Sequence, residues 1–116
     1  MSQKLGTTKT PTGDNALISD LARRLVDVYR PERIYLFGSA ARGDAGPDSD
    51  YDFMVVVSDD TPRETRETKA VFRALLAIDA PIDVLVWTRR EFDKRLHLPV
   101  SFPSTIVREG RSLYAA

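Results

Sequence analysis

The stretch from Ile34 to Val57, IYLFGSAARGDAGPDSDYDFMVVV, constrains this chain more than any other, because two apolar runs bracket a loop that no regular element absorbs. Ile34 to Phe37 is a short strand-like run broken by Gly38-Ser39, and Asp50-Tyr51-Asp52 opens a second run that ends at Val57. Between them lies a segment rich in Gly, Asp, Pro and Ser, the composition of a turn. The second run is apolar on both pleat faces, which places it in the middle of a sheet.

Asp50 and Asp52 stand two residues apart at the mouth of that strand. Side chains alternate along a strand, so both carboxylates are expected on one side, about 7 Å apart. Like charges set into an otherwise apolar run cost several kcal/mol unless water or a cation compensates them. Ligands that are all oxygen, with no neighbouring His or Cys, favour Mg²⁺ or Mn²⁺ over zinc.

Gly38-Ser39 supplies the complementary half. A glycine directly after a strand lets the backbone approach a ligand closely, and Ser39 opens a predicted helical turn through Ala40 and Ala41 that offers a hydroxyl and unpaired N–H groups. An anion site and a cation site at neighbouring strand ends together describe a pocket for a metal-bound nucleoside triphosphate. Neither G-x-x-x-x-G-K-[ST] nor G-x-G-x-x-G occurs anywhere in the chain.

The remaining elements frame this pair of strands. Residues 1–13 read as a flexible polar lead-in and 14–116 as one domain, beginning with a helix from a cap at Asp14 or Asn15 to Arg30, with Leu17, Leu21, Leu25 and Val28 on its buried stripe. Arg33 to Phe37 and Tyr51 to Val57 are the first two strands. Thr61-Pro62-Arg63-Glu64 predicts a capping box opening a helix whose stripe is Val71, Ala74, Leu75 and Ile78. Its charges, from Arg63 to Lys69, read as a solvated face rather than a nucleic-acid patch. A third strand, Ile82 to Trp87, follows Pro81 and carries Asp83, the one acid in an apolar run. On a two-residue period Asp83 shares a face with Leu85 and Trp87, and a buried carboxylate there needs a partner; the plainer alternative is an edge or turn acid. Thr88-Arg89-Arg90-Glu91 predicts a second capping box and a helix to about Leu96, Pro103 to Glu109 a further helix stopped by Gly110, and Arg111 to Tyr114 a last strand. The lone His97 reads as a surface residue.

Composition excludes several classes of function. Seventeen basic and seventeen acidic residues cancel, so no global field holds a polyanion, and stable nucleic-acid binding is not expected. The chain has no cysteine, which rules out disulfides and thiolate metal sites and is compatible with a cytoplasmic protein. Its longest apolar run falls far short of the roughly 20 residues of a membrane span, so no membrane association is expected.

Gly38-Ser39, ten residues, then Asp50-x-Asp52, with Arg42-Gly43 inside and Ser49 before the first acid, resembles the signature of the DNA polymerase beta nucleotidyltransferase superfamily. The resemblance is strongest to its minimal nucleotidyltransferases, among them the MNT antitoxins paired with HEPN toxins. It implies an α+β fold with a mixed sheet flanked by helices. It also implies that Asp50, Asp52 and Asp83 hold two Mg²⁺ ions, that Gly38 and Ser39 bind the β- and γ-phosphates of ATP, and that AMP passes to a tyrosine of a HEPN-type toxin in a hetero-oligomer. Arg42 is a candidate to steady the triphosphate or equally a surface ion pair, and Ser49 a turn cap. Larger relatives carry further domains that hold the acceptor; here, once three strands and three helices are counted, too little of the 116 residues is expected to remain for one, and a partner is expected to present the acceptor. Two alternatives stay open: a non-catalytic module that silences its partner by occlusion, and a small-molecule nucleotidyltransferase.

Overall fold

The computed structural model describes residues 13–42 and 50–116, so the predicted lead-in and the positions of Gly43 and Ser49 lie outside the described residues. The elements in chain order are α1 Gly13–Tyr29, β1 Arg33–Phe37, α2 Ser39–Arg42, β2 Tyr51–Val57, α3 Arg63–Arg66, α4 Ala70–Ala74, β3 Ile82–Thr88, α5 Arg89–Asp93, α6 Phe102–Glu109 and β4 Arg111–Ala115. The strands form one sheet in the order β3-β2-β1-β4. β1 runs antiparallel to β2 and β4, while β2 and β3 are parallel, so the expected mixed sheet flanked by helices is the one that forms.

β2 is interior and its residues from Phe53 to Val57 are all fully buried. Alternation splits them between two cores. Phe53, Val55 and Val57 join Ile34 and Leu36 under α1, and Met54 and Val56 join Phe92 of α5 and Ile106 of α6 on the opposite face. Each such side chain contributes roughly 1.5–3 kcal/mol by leaving water. Arg24 of α1 donates to the Ala74 carbonyl at 2.6 Å, tying α1 to α4. On the other face Tyr35 stacks on Phe92 at 5.5 Å, and Arg33 reaches Asp93 at 2.9 Å.

Several local expectations are corrected. α1 starts at Gly13, which puts Asp14 and Asn15 inside its first turn, and it ends at Tyr29 rather than Arg30. Arg30 turns into the left-handed region at φ 49 with its N–H on the Val26 carbonyl at 2.8 Å, a common way for a helix to end, and Pro31 cannot continue it. Its buried stripe is Ile18, Leu21, Ala22, Leu25 and Tyr29, a 3.6-residue repeat that leaves Leu17 and Val28 at its margins. The segment after Pro62 is two short helices instead of one. Pro62 stands at the N-cap of α3 with no side-chain cap, because Thr61 has turned its hydroxyl to Ser58, 2.8 Å away. Thr68 then accepts the Ala70 N–H at 3.1 Å, and this local bond competes with helix continuation. Of the predicted stripe Val71 alone is buried, with Ala74, Leu75 and Ile78 half-buried.

The second predicted capping box forms: the Thr88 hydroxyl accepts the Glu91 N–H at 3.2 Å and the Glu91 carboxylate accepts the Thr88 N–H at 3.0 Å. Thr88→Ala is expected to cost about 1 kcal/mol in denaturant unfolding, the usual worth of an N-cap. An unchanged midpoint would show that α5 is held by Phe92 packing alone. Among the described residues no helix is long and apolar enough to cross a membrane.

Candidate active site

Three strand ends meet at one edge of the sheet. β1 runs antiparallel to β2, so its C-terminal Phe37 pairs with Asp52 near the start of β2, and in the parallel β2–β3 pair Asp52 lies opposite Asp83. Gly38, Asp52 and Asp83 therefore sit side by side across three adjacent strands. Asp50, one residue before β2, brings a third carboxylate to the same place.

One carboxylate oxygen from each of Asp50, Asp52 and Asp83 lies within 4.8 Å of the other two. Those oxygens lie closer than the roughly 7 Å spacing expected between the carboxylates of Asp50 and Asp52. None of the described ion pairs involves these three acids. At about 4 Å each like-charge pair costs roughly 1 kcal/mol at the permittivity of water and about 4 kcal/mol at an effective value of 20. Such an all-carboxylate set suits a hard divalent cation.

Asp52 is partly buried, whereas Asp50 and Asp83 are exposed. Asp83 is thus not the buried carboxylate predicted from its apolar run. It lies on an edge strand, where its side chain reaches solvent. Burial pushes the Asp52 carboxyl above the usual carboxylate range, and the charges of Asp83 and Asp50, with a hydrogen bond to Asp83, push it further. A carboxyl whose pKa is raised on folding stabilises the fold as pH drops through the raised value and opposes it as pH climbs above. In metal-free buffer Asp52→Asn should therefore melt above wild type at neutral pH, and the margin should close as Asp52 becomes protonated. A margin that ignores pH would mean that Asp52 carries no folded-state penalty.

Gly38 adopts φ +76, a conformation that favours glycine, and a Cβ built there would lie 2.5 Å from Asp52 Oδ2. The Gly38 backbone is thereby pressed against the acid site. Its carbonyl accepts the N–H groups of Ala41 and Arg42 at 3.1 and 3.3 Å, starting α2 as predicted. The amides of Ser39 and Ala40, at the first positions of the turn, have no carbonyl within it to bond. Arg42 ends α2, is exposed, and with Phe37 and Gly38 lines a small hollow of about 160 Å³. His97 is exposed and away from these residues in sequence and element.

Sequence reasoning missed Phe102. Its ring meets Phe37 edge-on at 5.3 Å and Trp87 at 5.8 Å, building an aromatic floor next to the acids. The available signal was a large apolar residue just before Pro103 at a helix start, which alone does not say what the side chain meets.

Residues 18–112 match the family described as Nucleotidyltransferase domain. No curated protein sequence matches. Two solved structures share the fold. One, described as a toxin-antitoxin with AMP-PNP, is 21% identical, with 90% of this chain and 75% of that one covered at a TM-score of 0.53. The other, a mutant of the toxin-antitoxin MntA-HpeT, is 19% identical over the same shares, at a TM-score of 0.52.

Proposed function

This chain belongs to the nucleotidyltransferase domain family, and from that premise we propose that it is a Mg²⁺-dependent antitoxin that transfers AMP from ATP to a tyrosine of a partner HEPN-type toxin in the cytoplasm. The observation that carries the proposal is the convergence of three carboxylates within 4.8 Å beside the Gly38 backbone. Solved relatives of the same fold, described as toxin-antitoxin pairs and in one case holding AMP-PNP, support the choice of nucleotide and partner.

In this reading Asp50, Asp52 and Asp83 hold two Mg²⁺ ions, which when bound neutralise phosphate charge and polarise the reacting oxygens. The Gly38 and Ser39 amides and the Ser39 hydroxyl hold the β- and γ-phosphates, with Arg42 as a charge-assisted donor beside them. Asp83, at the exposed sheet edge, orients the acceptor hydroxyl. The hydroxyl gives its proton to the Asp83 carboxylate, its oxygen bonds to the α-phosphorus, the bond to the bridging oxygen breaks, and pyrophosphate departs.

Placement of the acceptor falls to the partner. An apolar hollow of about 480 Å³ between α4 and β3 opens at the Asp83 end of β3, on the sheet face opposite the Asp83 carboxylate, and Phe72 and Leu76 in its wall are 71% and 82% exposed. Adjacent exposed apolar side chains of this kind mark surfaces that a partner covers. The same patch would serve a module acting by occlusion alone, so the test must read chemistry. Labelled ATP, Mg²⁺ and the co-encoded partner are mixed, and label on the partner's tyrosine is followed by mass spectrometry. A partner silenced without modification would replace transfer by occlusion.

Nucleotide binding is expected to need the metal. Calorimetric titration with ATP should give a clear isotherm in Mg²⁺ and a much weaker one in EDTA. Equal affinities would remove the metal role from the three acids.

A further inference from the structure

The sheet face that carries Asp52 and Asp83 continues along β3 through Leu85 and Trp87, since alternate residues of a strand share a face. Trp87 and Phe102 form one wall of an open hollow of about 590 Å³, completed by Glu91, Arg95, Leu98 and Ser101. Leu98 is 45% and Phe102 40% exposed, so apolar surface is left uncovered there. Phe102 also touches Phe37, the residue before Gly38 and the strand partner of Asp52, and lines the small hollow beside Gly38, so its ring borders both spaces.

The polar groups of the hollow differ in what remains open to a ligand. The Glu91 carboxylate already accepts the Thr88 N–H and hydroxyl. The Ser101 hydroxyl donates to the Arg95 carbonyl at 2.6 Å and accepts the Ser104 N–H at 3.1 Å. The Arg95 guanidinium has no hydrogen bond or ion pair among the described residues. An aromatic wall with one open planar donor beside it suits a flat heterocycle with ring acceptors.

We propose that this hollow binds the nucleoside half of the triphosphate, with the base against Trp87 and Phe102 and Arg95 donating to its ring acceptors. The inference rests on the nucleotide-transfer reading above. With the phosphates at Gly38 and Ser39 and the α-phosphorus at the acids, the nucleoside can follow the sheet face on which Asp52 and Asp83 stand. Asp83 and Trp87 are four residues apart on one strand, about 13 Å, which a nucleoside extending from the α-phosphorus spans. Stacking of a base on an aromatic side chain is worth roughly ten- to hundredfold in affinity.

Trp87 is the one tryptophan of the chain, so its fluorescence reports on the hollow alone. In Mg²⁺, ATP should change the emission and bind ten- to hundredfold tighter than inorganic tripolyphosphate, which should bind without moving the signal. Leu98→Glu, at an exposed position that tolerates substitution, should lower ATP affinity towards the tripolyphosphate value and leave tripolyphosphate binding as it was. Equal affinities for ATP and tripolyphosphate with a silent Trp87 overturn the proposal, as does unchanged ATP binding in Leu98→Glu, and the hollow is then free for a partner's side chain. If neither ligand binds, the transferase reading fails and this inference with it.

Discussion

Asp52→Asn is expected to lose about a thousandfold in the rate of AMP transfer while unfolding no more easily than wild type. Asp52 lies opposite Asp83 in the β2–β3 register, and its carboxylate reaches to within 2.5 Å of where a Gly38 Cβ would stand, so it joins the acid cluster to the Gly38 backbone. Asparagine keeps nearly the same volume and removes one charge from a cluster of three carboxylates that meet within 4.8 Å. The loss falls on transition-state stabilisation, several kcal/mol for one metal-ligating carboxylate, and stability is level or higher because repulsion is relieved. Rates with labelled ATP and partner, set beside melting curves, separate the two effects. Equal transfer by the variant would remove Asp52 from the chemistry.

Substituting two glycines should divide function from folding. Gly38→Ala forces a side chain into φ +76, at a cost near 1 kcal/mol, and drives its Cβ against Asp52 Oδ2, the free end of a side chain that can swing aside. The fold should therefore survive with a small loss, and Mg²⁺-dependent ATP binding should fall below detection, since Asp52 leaves the triad. Gly110→Ala meets no such flexible neighbour. A Cβ there would lie 2.6 Å from the carbonyl oxygens of both Ile106 and Leu36, in α6 and central β1. Neither can retreat without opening the end of α6 or the β1–β4 pair, so a loss of about 3 kcal/mol is expected, at the upper end for overpacking. A Gly110→Ala protein as stable as wild type, or a Gly38→Ala protein that binds ATP normally, would contradict the packing just described.

The limits of β1 and β2 were legible because Pro31 and Gly38-Ser39 punctuate the first and two acids open the second, all local signals. α6 and β4 were read nearly to their ends for the same reason, with Gly110 between them. The break between α3 and α4 was not, because it depends on which bond the Thr61 and Thr68 hydroxyls choose, and a capping pattern does not say that Ser58 competes. The acids of the candidate site could be named from composition against their apolar surroundings, yet the exposure of Asp83 could not. An apolar run reads alike in the middle of a sheet and at its edge, and strand order is a non-local property. The Phe37–Phe102–Trp87 cluster was hidden likewise, since its three rings come from β1, α6 and β3.

The parallel pairing of Asp52 with Asp83 makes the length of the chain within β2 and β3 far less forgiving than the length between them. A strand alternates its faces at every residue, so sliding β3 by one position would set Ile82 or Val84 opposite Asp52 and turn Asp83 towards the helical core under α1. Residues gained or lost between Asp59 and Pro81 can be absorbed by two short helices and the turns around them. A single residue inserted after Asp83 inside β3 would leave its name in the sequence and take Leu85 and Trp87 to the wrong side of the sheet. Relatives of this chain should accordingly differ freely in the length of that connection and hardly at all in the spacing within the two strands.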